Sequence, residues 1–418
     1  MAQLSLYAFM LVYIGRIQEL VAWLEPLRIV LIFTLFAVVS ALLLPCGERH
    51  LIWRKREVRL VLLLAGLAVT SMPFSAWPGF TYAFIIGPFA LVVLLFLLIV
   101  AVTTSQRIAT SLVLTLLSAV VALSAFTLLG GEALGGSGRA YATKTYDPND
   151  LAMVIDCALP FAVLGAFSLR GPGRLVAGAA TVFGVVAVVK TISRGGFIGL
   201  VLVGVLLVFR WRSVSLIRRL TVLLACAVIL SVSVPSNYWY SIGTVFNLNP
   251  SDDDSYLESG IRGRSDMWMQ GLIVFSQHPI LGVGAGAFEI AEGLSHGGAG
   301  KWSAAHNSFI QIASELGIVG FAVFAALIVL SVRNARAVAR AARARVELAP
   351  IEWIATAVEM SLYTYIVVGF ALSQAYSSVL YFLFGMATAL RLQVERDAAI
   401  VAPSATAPVV RERRSQRS

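Results

Sequence analysis

The segment around His306 has the residue types and spacing of a proton acceptor at the start of a helix. It reads Ser303-Ala-Ala-His306-Asn307, and an apolar run begins at position 308. Ser303 could cap this helix by accepting hydrogen bonds from its free N–H groups, which would place His306 in the first turn. The positive end of the helix dipole favours neutral imidazole there, the form that can take a proton. The pattern predicts a general base or, as the alternative, a structural histidine.

Four cations are candidate site residues beside this histidine. Arg194 precedes an apolar run, and Arg262, Arg264 and Lys301 lie in the long polar segment that leads to His306. A guanidinium group can hold two phosphate oxygens at once and stays charged. These cations are therefore candidate functional residues. For Arg262, a solvated loop charge is an equally good interpretation.

The sequence has no pattern of metal ligands. Its three cysteines and four histidines are scattered, without the pair spacings that zinc sites use. The aspartate run at positions 252–254 favours a solvated charged segment over a metal site. We therefore expect neither a metal nor another cofactor.

The composition is that of a membrane protein. Of 418 residues, 59% are hydrophobic and 13% are charged, whereas a soluble domain has about 25% charged residues. The net charge of +10 comes from short arginine and lysine clusters between apolar runs. That arrangement indicates membrane topology and excludes the single basic face of a nucleic-acid-binding protein.

Apolar runs long enough to form membrane-crossing helices recur along the chain. A helix needs about 20 apolar residues to cross a bilayer. The runs predict an all-α membrane protein of about twelve helices, in which residues 1–397 form one transmembrane domain and 398–418 a disordered basic tail. The predicted spans lie near 4–22, 27–45, 58–73, 81–103, 108–130, 149–169, 174–191, 196–210, 215–234, 305–332, 353–371 and 374–391.

The loops between these spans alternate in charge. Every second loop is basic, which predicts that these loops and both termini are cytoplasmic. The largest outward-facing loop then covers residues 235–304. Arg194, Arg262, Arg264 and Lys301 lie on the outer side, where topology gives no reason for a cation. An ionisable residue in such a place indicates a functional site.

The large loop is predicted to contain a helix from Arg264 to His278. Its apolar face would be formed by residues spaced i, i+4 and i+7, and it would lie along the membrane surface or pack on the helix bundle. A glycine-rich segment follows and predicts a flexible turn. The residues of the face are Trp268, Leu272 and Phe275, and those of the turn are Gly282, Gly284 and Gly286.

These segments together resemble the O-antigen ligase and polymerase superfamily of membrane glycosyltransferases. The pattern that carries the resemblance is His306-Asn307, nine further residues, and then Gly317-x-x-Gly320. Other matching segments extend it over about 140–330. They are Gly263-Arg264-Ser265-Asp266-Met267-Trp268, His278-Pro279 with the glycine-rich turn, Asp147-Pro148-Asn149-Asp150, and Ser193-Arg194-Gly195-Gly196.

The resemblance implies a metal-independent glycosyltransferase of GT-C-like, all-helical architecture in the bacterial inner membrane. The donor would be a glycan on polyprenyl diphosphate at the periplasmic face, and the product would have an inverted anomeric carbon. His306 would activate the acceptor hydroxyl. Arg194 and Arg264 would hold the diphosphate, and Arg262 would assist or replace Arg264. Asn307 and Lys301 would contact the substrate.

Three functions remain open on the sequence. The first is a polymerase of O-antigen or exopolysaccharide repeat units, with a flippase and a chain-length regulator as partners. The second is a ligase that moves the glycan to lipid A-core. The third is a multi-helix transporter, which would have internal repeats and broken helices around a midplane site. Membrane lipids are expected partners in every case, and nucleic acids are not.

Overall fold

The computed structural model describes residues 1–42, 49–129, 140, 142–210, 215–233, 255–298 and 300–401. These residues form helices and turns and include no β-strand, which confirms the all-α prediction for the described part of the chain. The helices are α1 Ala2–Tyr13, α2 Ile17–Leu20, α3 Ile29–Leu42, α4 Arg49–Trp53, α5 Arg56–Ser71, α6 Pro78–Phe84, α7 Ala90–Val102, α8 Gln106–Leu129, α9 Pro148–Ser168, α10 Pro172–Lys190, α11 Arg194–Arg210, α12 Leu216–Ser233, α13 Ser255–Gln277, α14 Phe288–Gly298, α15 Ser308–Ala344, α16 Glu352–Gly369 and α17 Ser378–Val401.

The described residues include seven helical segments long and apolar enough to cross a membrane. This identifies a membrane protein, but it does not confirm the predicted count of twelve spans. Two of the predicted spans correspond to the shorter apolar helices α1 and α3, and α11 has 17 residues. The seven segments are Arg56–Phe74, Pro78–Val102, Gln106–Leu129, Pro148–Ser168, Pro172–Lys190, Ser308–Ala344 and Val346–Gly369.

The predicted first span, 4–22, is wrong as a continuous helix. Helix α1 ends at Tyr13, and Arg16 has a left-handed backbone with φ of 50°. The backbone groups freed by this break bond to a distant loop, because the Tyr146 hydroxyl donates to the Ile14 carbonyl at 3.0 Å. A polar contact far along the chain therefore ends the helix inside an apolar run.

Helix α9 lies at the centre of the bundle. Every residue from Leu151 to Gly165 is buried. A Cβ atom on Gly196 of α11 would lie 2.6 Å from Cβ of Ala152, so the backbones of α9 and α11 approach closely. Small residues at such crossings are the usual packing device between membrane helices.

Helix α15 is interrupted at Gly317. This residue has φ of 68° and ψ of −168°, a conformation that is essentially restricted to glycine. The break frees carbonyl and N–H groups that an uninterrupted helix would pair internally, and the segment between α13 and α14 pairs with them. The bonds are Val283 N to Ser314 O at 2.9 Å, Gly284 N to Glu315 O at 3.1 Å, and Ile318 N to Pro279 O at 2.8 Å.

The glycine-rich segment after α13 is therefore a packed connection, and the prediction of a flexible turn is wrong. Gly282 has φ of 66°, and a Cβ atom there would lie 2.2 Å from the Glu315 carbonyl carbon. Gly286 N donates to the Glu315 carboxylate at 2.8 Å. Glycines are needed here because two backbones approach each other closely. The two glycine motifs of the sequence thus form one structural unit.

Replacing Gly317 by alanine should destabilise the protein by about 2 kcal/mol or more, because the backbone conformation is strained for any other residue. The added Cβ atom would also lie 2.2 Å from the Ile280 carbonyl oxygen. Gly178→Ala on α10 is a matched control, since a Cβ atom there meets nothing within 4 Å. Thermal unfolding of both purified variants in detergent measures the difference, and equal unfolding temperatures would contradict this account of the break.

Helix α13 packs on the start of α15 with a different face from the predicted one. Leu272, expected on the apolar face, is 50% exposed. A Cβ atom on Gly271 would lie 2.3 Å from Cγ2 of Ile310, so the two helices meet at this glycine. The prediction failed because it counted only large apolar residues, whereas a small residue allows the closest contact. The buried positions are Met267, Gly271 and Val274.

Two arginines from different helices meet at a buried carboxylate. Glu359 of α16 is 2% exposed and accepts a hydrogen bond from Arg336 Nε of α15 at 2.6 Å. It also pairs with Arg210 at the end of α11. These arginines belong to loops that the sequence predicts to be cytoplasmic, and they gather at one end of the bundle.

Candidate functional site

His306 lies immediately before α15 and not in its first turn. Its backbone is left-handed, with φ of 47°. Asn307 caps the helix, because its side-chain oxygen accepts hydrogen bonds from Phe309 N at 2.9 Å and Ile310 N at 3.1 Å. The predicted cap, Ser303, is therefore wrong: the left-handed turn at His306 prevents the helix from starting earlier, and asparagine is at least as good a cap as serine.

The imidazole of His306 is half-buried among charged groups. Burial lowers the pKa of His306, and the nearby Arg264 guanidinium lowers it further, while the Asp147 carboxylate raises it. The Trp268 indole N–H donates to the His306 carbonyl at 3.1 Å, which ties α13 to this loop. His306, Arg264 and Asp147 therefore lie together, and the lowered pKa of the histidine favours its neutral form.

The starts of α9 and α11 meet beside this histidine. Asp147 caps α9, with its side-chain oxygen accepting from Asn149 N at 2.7 Å and Asp150 N at 2.8 Å. Asn149 and Asp150 lie inside this helix. The Asn149 side-chain oxygen accepts from the Ser193 hydroxyl at 2.9 Å. Two motifs about 45 residues apart in sequence, 147–150 and 193–196, thus form one junction.

Arg194 projects from this junction at the first position of α11. Ser193 accepts a hydrogen bond from Gly196 N at 3.1 Å and so caps the helix. Arg194 is partly exposed and has no hydrogen-bond or ion-pair partner within the described part of the chain. Its guanidinium is therefore available for a ligand. We call the end of the bundle that carries Asp147, Arg194 and His306 the site end.

The loop between α16 and α17 completes the site end. The Ser308 hydroxyl donates to Leu372 O at 2.7 Å and accepts from Gln374 N at 3.0 Å, while the Gln374 side chain interacts with the Asp150 carboxyl. We did not identify this loop from the sequence. The signal that could have pointed to it is the short polar break, Ser373-Gln374, between two apolar runs of the last two helices.

Glu315 belongs to the framework behind the site. Its carboxylate accepts hydrogen bonds from the Tyr376 hydroxyl and from Gly286 N, both at 2.8 Å. It is 2% exposed. Glu315 therefore joins the glycine-rich segment to the loop before α17.

Lys301 forms an exposed ion pair with Asp266 of α13, with 3.3 Å between Nζ and Oδ2. The buried carboxylate of Glu292 holds the preceding loop by accepting from Lys301 N at 3.0 Å and Ser303 N at 3.4 Å. Exposed ion pairs contribute at most about 1 kcal/mol, so a ligand could replace Asp266 as the partner. Substrate contact by Lys301, and by the capping residue Asn307, stays a prediction.

Two predicted features lie outside the described residues. Arg262 is on α13, but its side chain is not described, and the aspartates at 252–254 are not described at all. The described residues contain no group of three histidine, cysteine, aspartate or glutamate side chains placed to hold a metal ion. The domain boundary predicted at 397 falls within α17, which continues to Val401, and residues 402–418 are not described.

The comparison with protein families identifies one segment of the chain. Residues 179–325, about a third of the sequence, match a family model described as O-antigen ligase. The matched segment includes Arg194, Arg264, His306 and Gly317. A search of curated proteins gives no match. The family match confirms the resemblance that the sequence motifs predicted: over residues 179–325, this membrane protein is similar to the O-antigen ligase and polymerase superfamily.

Proposed function

We propose that the protein is an inverting, metal-independent glycosyltransferase that polymerises O-antigen or exopolysaccharide repeat units carried on polyprenyl diphosphate. The observation that supports this most is the grouping of a histidine with two arginines at one end of an apolar bundle. Arg264 is close enough to His306 to lower its pKa, and Arg194 extends from a helix start without a described partner. A base and fixed cations are what transfer from a lipid diphosphate requires.

Each group has a distinct task in this reaction. The acceptor hydroxyl loses its proton to His306, and its oxygen forms the new bond to the anomeric carbon. The bond from that carbon to the diphosphate oxygen breaks, and the electron pair leaves with the diphosphate. Arg194 and Arg264, with Arg262 assisting, stabilise the charge that develops there. Attack opposite the leaving group inverts the anomeric centre.

The proposal places the site end at the periplasmic face of the bacterial inner membrane, with both termini in the cytoplasm. The predicted basic loops, including Arg210 and Arg336, lie at the opposite end of the bundle, as the positive-inside rule requires. The lipid donor would then reach the arginines from the outer leaflet. A flippase that delivers this donor and a chain-length regulator are the proposed protein partners.

Ligation to lipid A-core is a second candidate function. The matching family model carries the description O-antigen ligase, which favours this candidate. Both reactions use the same donor and the same chemistry, and they differ only in the acceptor. The motifs that match are shared by the two activities and do not separate them.

The purified full chain, reconstituted in liposomes with a polyprenyl-diphosphate-linked repeat unit, should lengthen the lipid-linked glycan. The same preparation with added lipid A-core serves as the second arm, and glycan on lipid A-core would identify a ligase. Both arms are run with a chelator, because the proposal assigns charge stabilisation to arginines. Gel electrophoresis of the labelled products gives the readout.

Two outcomes would contradict the proposal. A folded, reconstituted protein that forms neither product would remove glycosyl transfer as its function. Activity that is lost in chelator and restored by magnesium would show that a metal is needed and would direct attention to the aspartates at 252–254.

A further inference from the structure

A groove runs along one face of α13, between this helix and α14. Two adjoining clefts form it, with volumes of about 480 Å³ and 350 Å³. Gln270 lines both. Four of the seven α13 residues that line the groove recur at i, i+4, i+7 and i+11, which places them on one face of the helix over about 16 Å. They are Asp266, Gln270, Ile273 and Gln277.

The groove extends from the loop before His306 to the end of the helical segment Arg56–Phe74. Its smaller cleft is bordered by Asp266 and Lys301, and Lys301 lies five positions before His306 in the sequence. Its larger cleft is bordered by Phe74, at the end of the helical segment Arg56–Phe74, and by Leu294 of α14. A ligand chain in the groove would therefore have one end at the loop that leads to His306.

The lining is that of a saccharide-binding surface. The Gln270 and Gln277 amides can each donate and accept hydrogen bonds, as sugar hydroxyls do. Neither side chain bonds to another described residue. Phe74, which is 64% exposed, and Leu294, which is 49% exposed, supply apolar surface for the C–H faces of a sugar ring.

The same lining is unsuited to binding the diphosphate or the isoprenoid chain of the proposed donor. A diphosphate needs cations, but the charged groups here are the carboxylates of Asp266 and Glu292 with a single lysine that already pairs with Asp266. An isoprenoid chain needs a continuous apolar wall, which the two glutamines and His278 interrupt.

We propose that this groove, between Asp266 and Phe74, binds the saccharide chain of a substrate. The inference rests on the proposed function for the kind of ligand, and it adds the place where the glycan lies. The glycan could belong to the donor or to the acceptor, because both carry the same hydroxyl-rich chemistry.

The test is direct binding of a lipid-free repeat-unit oligosaccharide to the purified full chain in detergent, measured by calorimetry. The double variant Gln270→Ala/Gln277→Ala should bind about fivefold more weakly or worse, since two hydrogen bonds are lost. Gln270→Trp, which fills the junction of the two clefts, should also bind more weakly. Leu272→Ala, on the same helix and 50% exposed but outside the groove lining, is the control and should bind normally.

Unchanged binding in both groove variants would overturn the inference. The binding readout needs no turnover, so it stays informative if the proposed transfer reaction fails. Where transfer is observed, a raised KM for the lipid-linked donor assigns the groove to the donor glycan, and a raised KM for the acceptor assigns it to the acceptor. If the KM values for the donor and for the acceptor are both unchanged, the groove does not bind the glycan.

Discussion

Replacing Arg194 or Arg264 by alanine should lower glycan transfer by about 10²- to 10³-fold, the usual cost of removing one group that stabilises developing charge. The reason is that the leaving diphosphate gains charge as its bond to the sugar breaks. Lysine should rescue either position poorly, because a compact ammonium cannot reproduce the paired contacts of a guanidinium. Transfer from the lipid-linked donor in liposomes, normalised to folded protein, measures the effect.

Arg170→Ala is the matched control for these two variants. Arg170 is exposed in the loop between α9 and α10, at the end of α9 opposite to Asp147, and it should retain normal transfer. Arg194→Ala should also unfold at the normal temperature, since Arg194 has no partner among the described residues whose loss would matter. Full activity of both alanine variants would remove diphosphate binding from their roles.

The long central helices could be predicted from the sequence almost to the residue. The spans expected at 108–130 and 149–169 correspond to Gln106–Leu129 and Pro148–Ser168. Local composition determines such helices, because the apolar run sets their length, and an acidic residue followed by proline marks the start of α9. Tertiary contacts add little to where they begin and end.

The N-terminal break could not be predicted in this way. The residues from 4 to 22 are apolar enough to suggest one helix, but the chain turns at Ile14 and Arg16. The turn depends on Tyr146, which bonds to Ile14 O, and on Thr145, whose backbone N–H donates to Glu19 at 2.9 Å. These partners are more than 120 residues away, so no local pattern contains the information.

The residues of the candidate site could be predicted from the sequence, but their arrangement in space could not. The reactive types were visible in sequence as motifs, including His306 and Arg194. Their arrangement depends on contacts between motifs, such as Ser193 with Asn149, and on a loop without a motif, which contributes Gln374. Helix starts can be predicted singly, but the way in which several of them converge is a property of the packed bundle.

His306→Ala should reduce turnover by about 10²- to 10⁴-fold, the usual cost of losing a general base, and should leave the KM for the donor nearly unchanged. His306→Asn separates this effect from backbone strain, because asparagine tolerates the left-handed conformation that His306 adopts but is not a base. Both variants should therefore be equally slow. A variant with weakened donor binding and normal turnover at saturating donor would make His306 a binding residue.

The pH dependence of transfer distinguishes a general base from a purely structural histidine. A general base must be neutral, so activity should fall as the pH drops through the pKa of His306. Burial and Arg264 lower that pKa, which places the acid limb below about 6.5, the ordinary value for histidine.

Asp147 acts in the opposite direction and raises the pKa of His306. Asp147→Asn keeps a good helix cap but removes the negative charge, so its acid limb should move to lower pH. An acid limb at the same pH in Asp147→Asn and in the unaltered protein would mean that the titrating base is not His306.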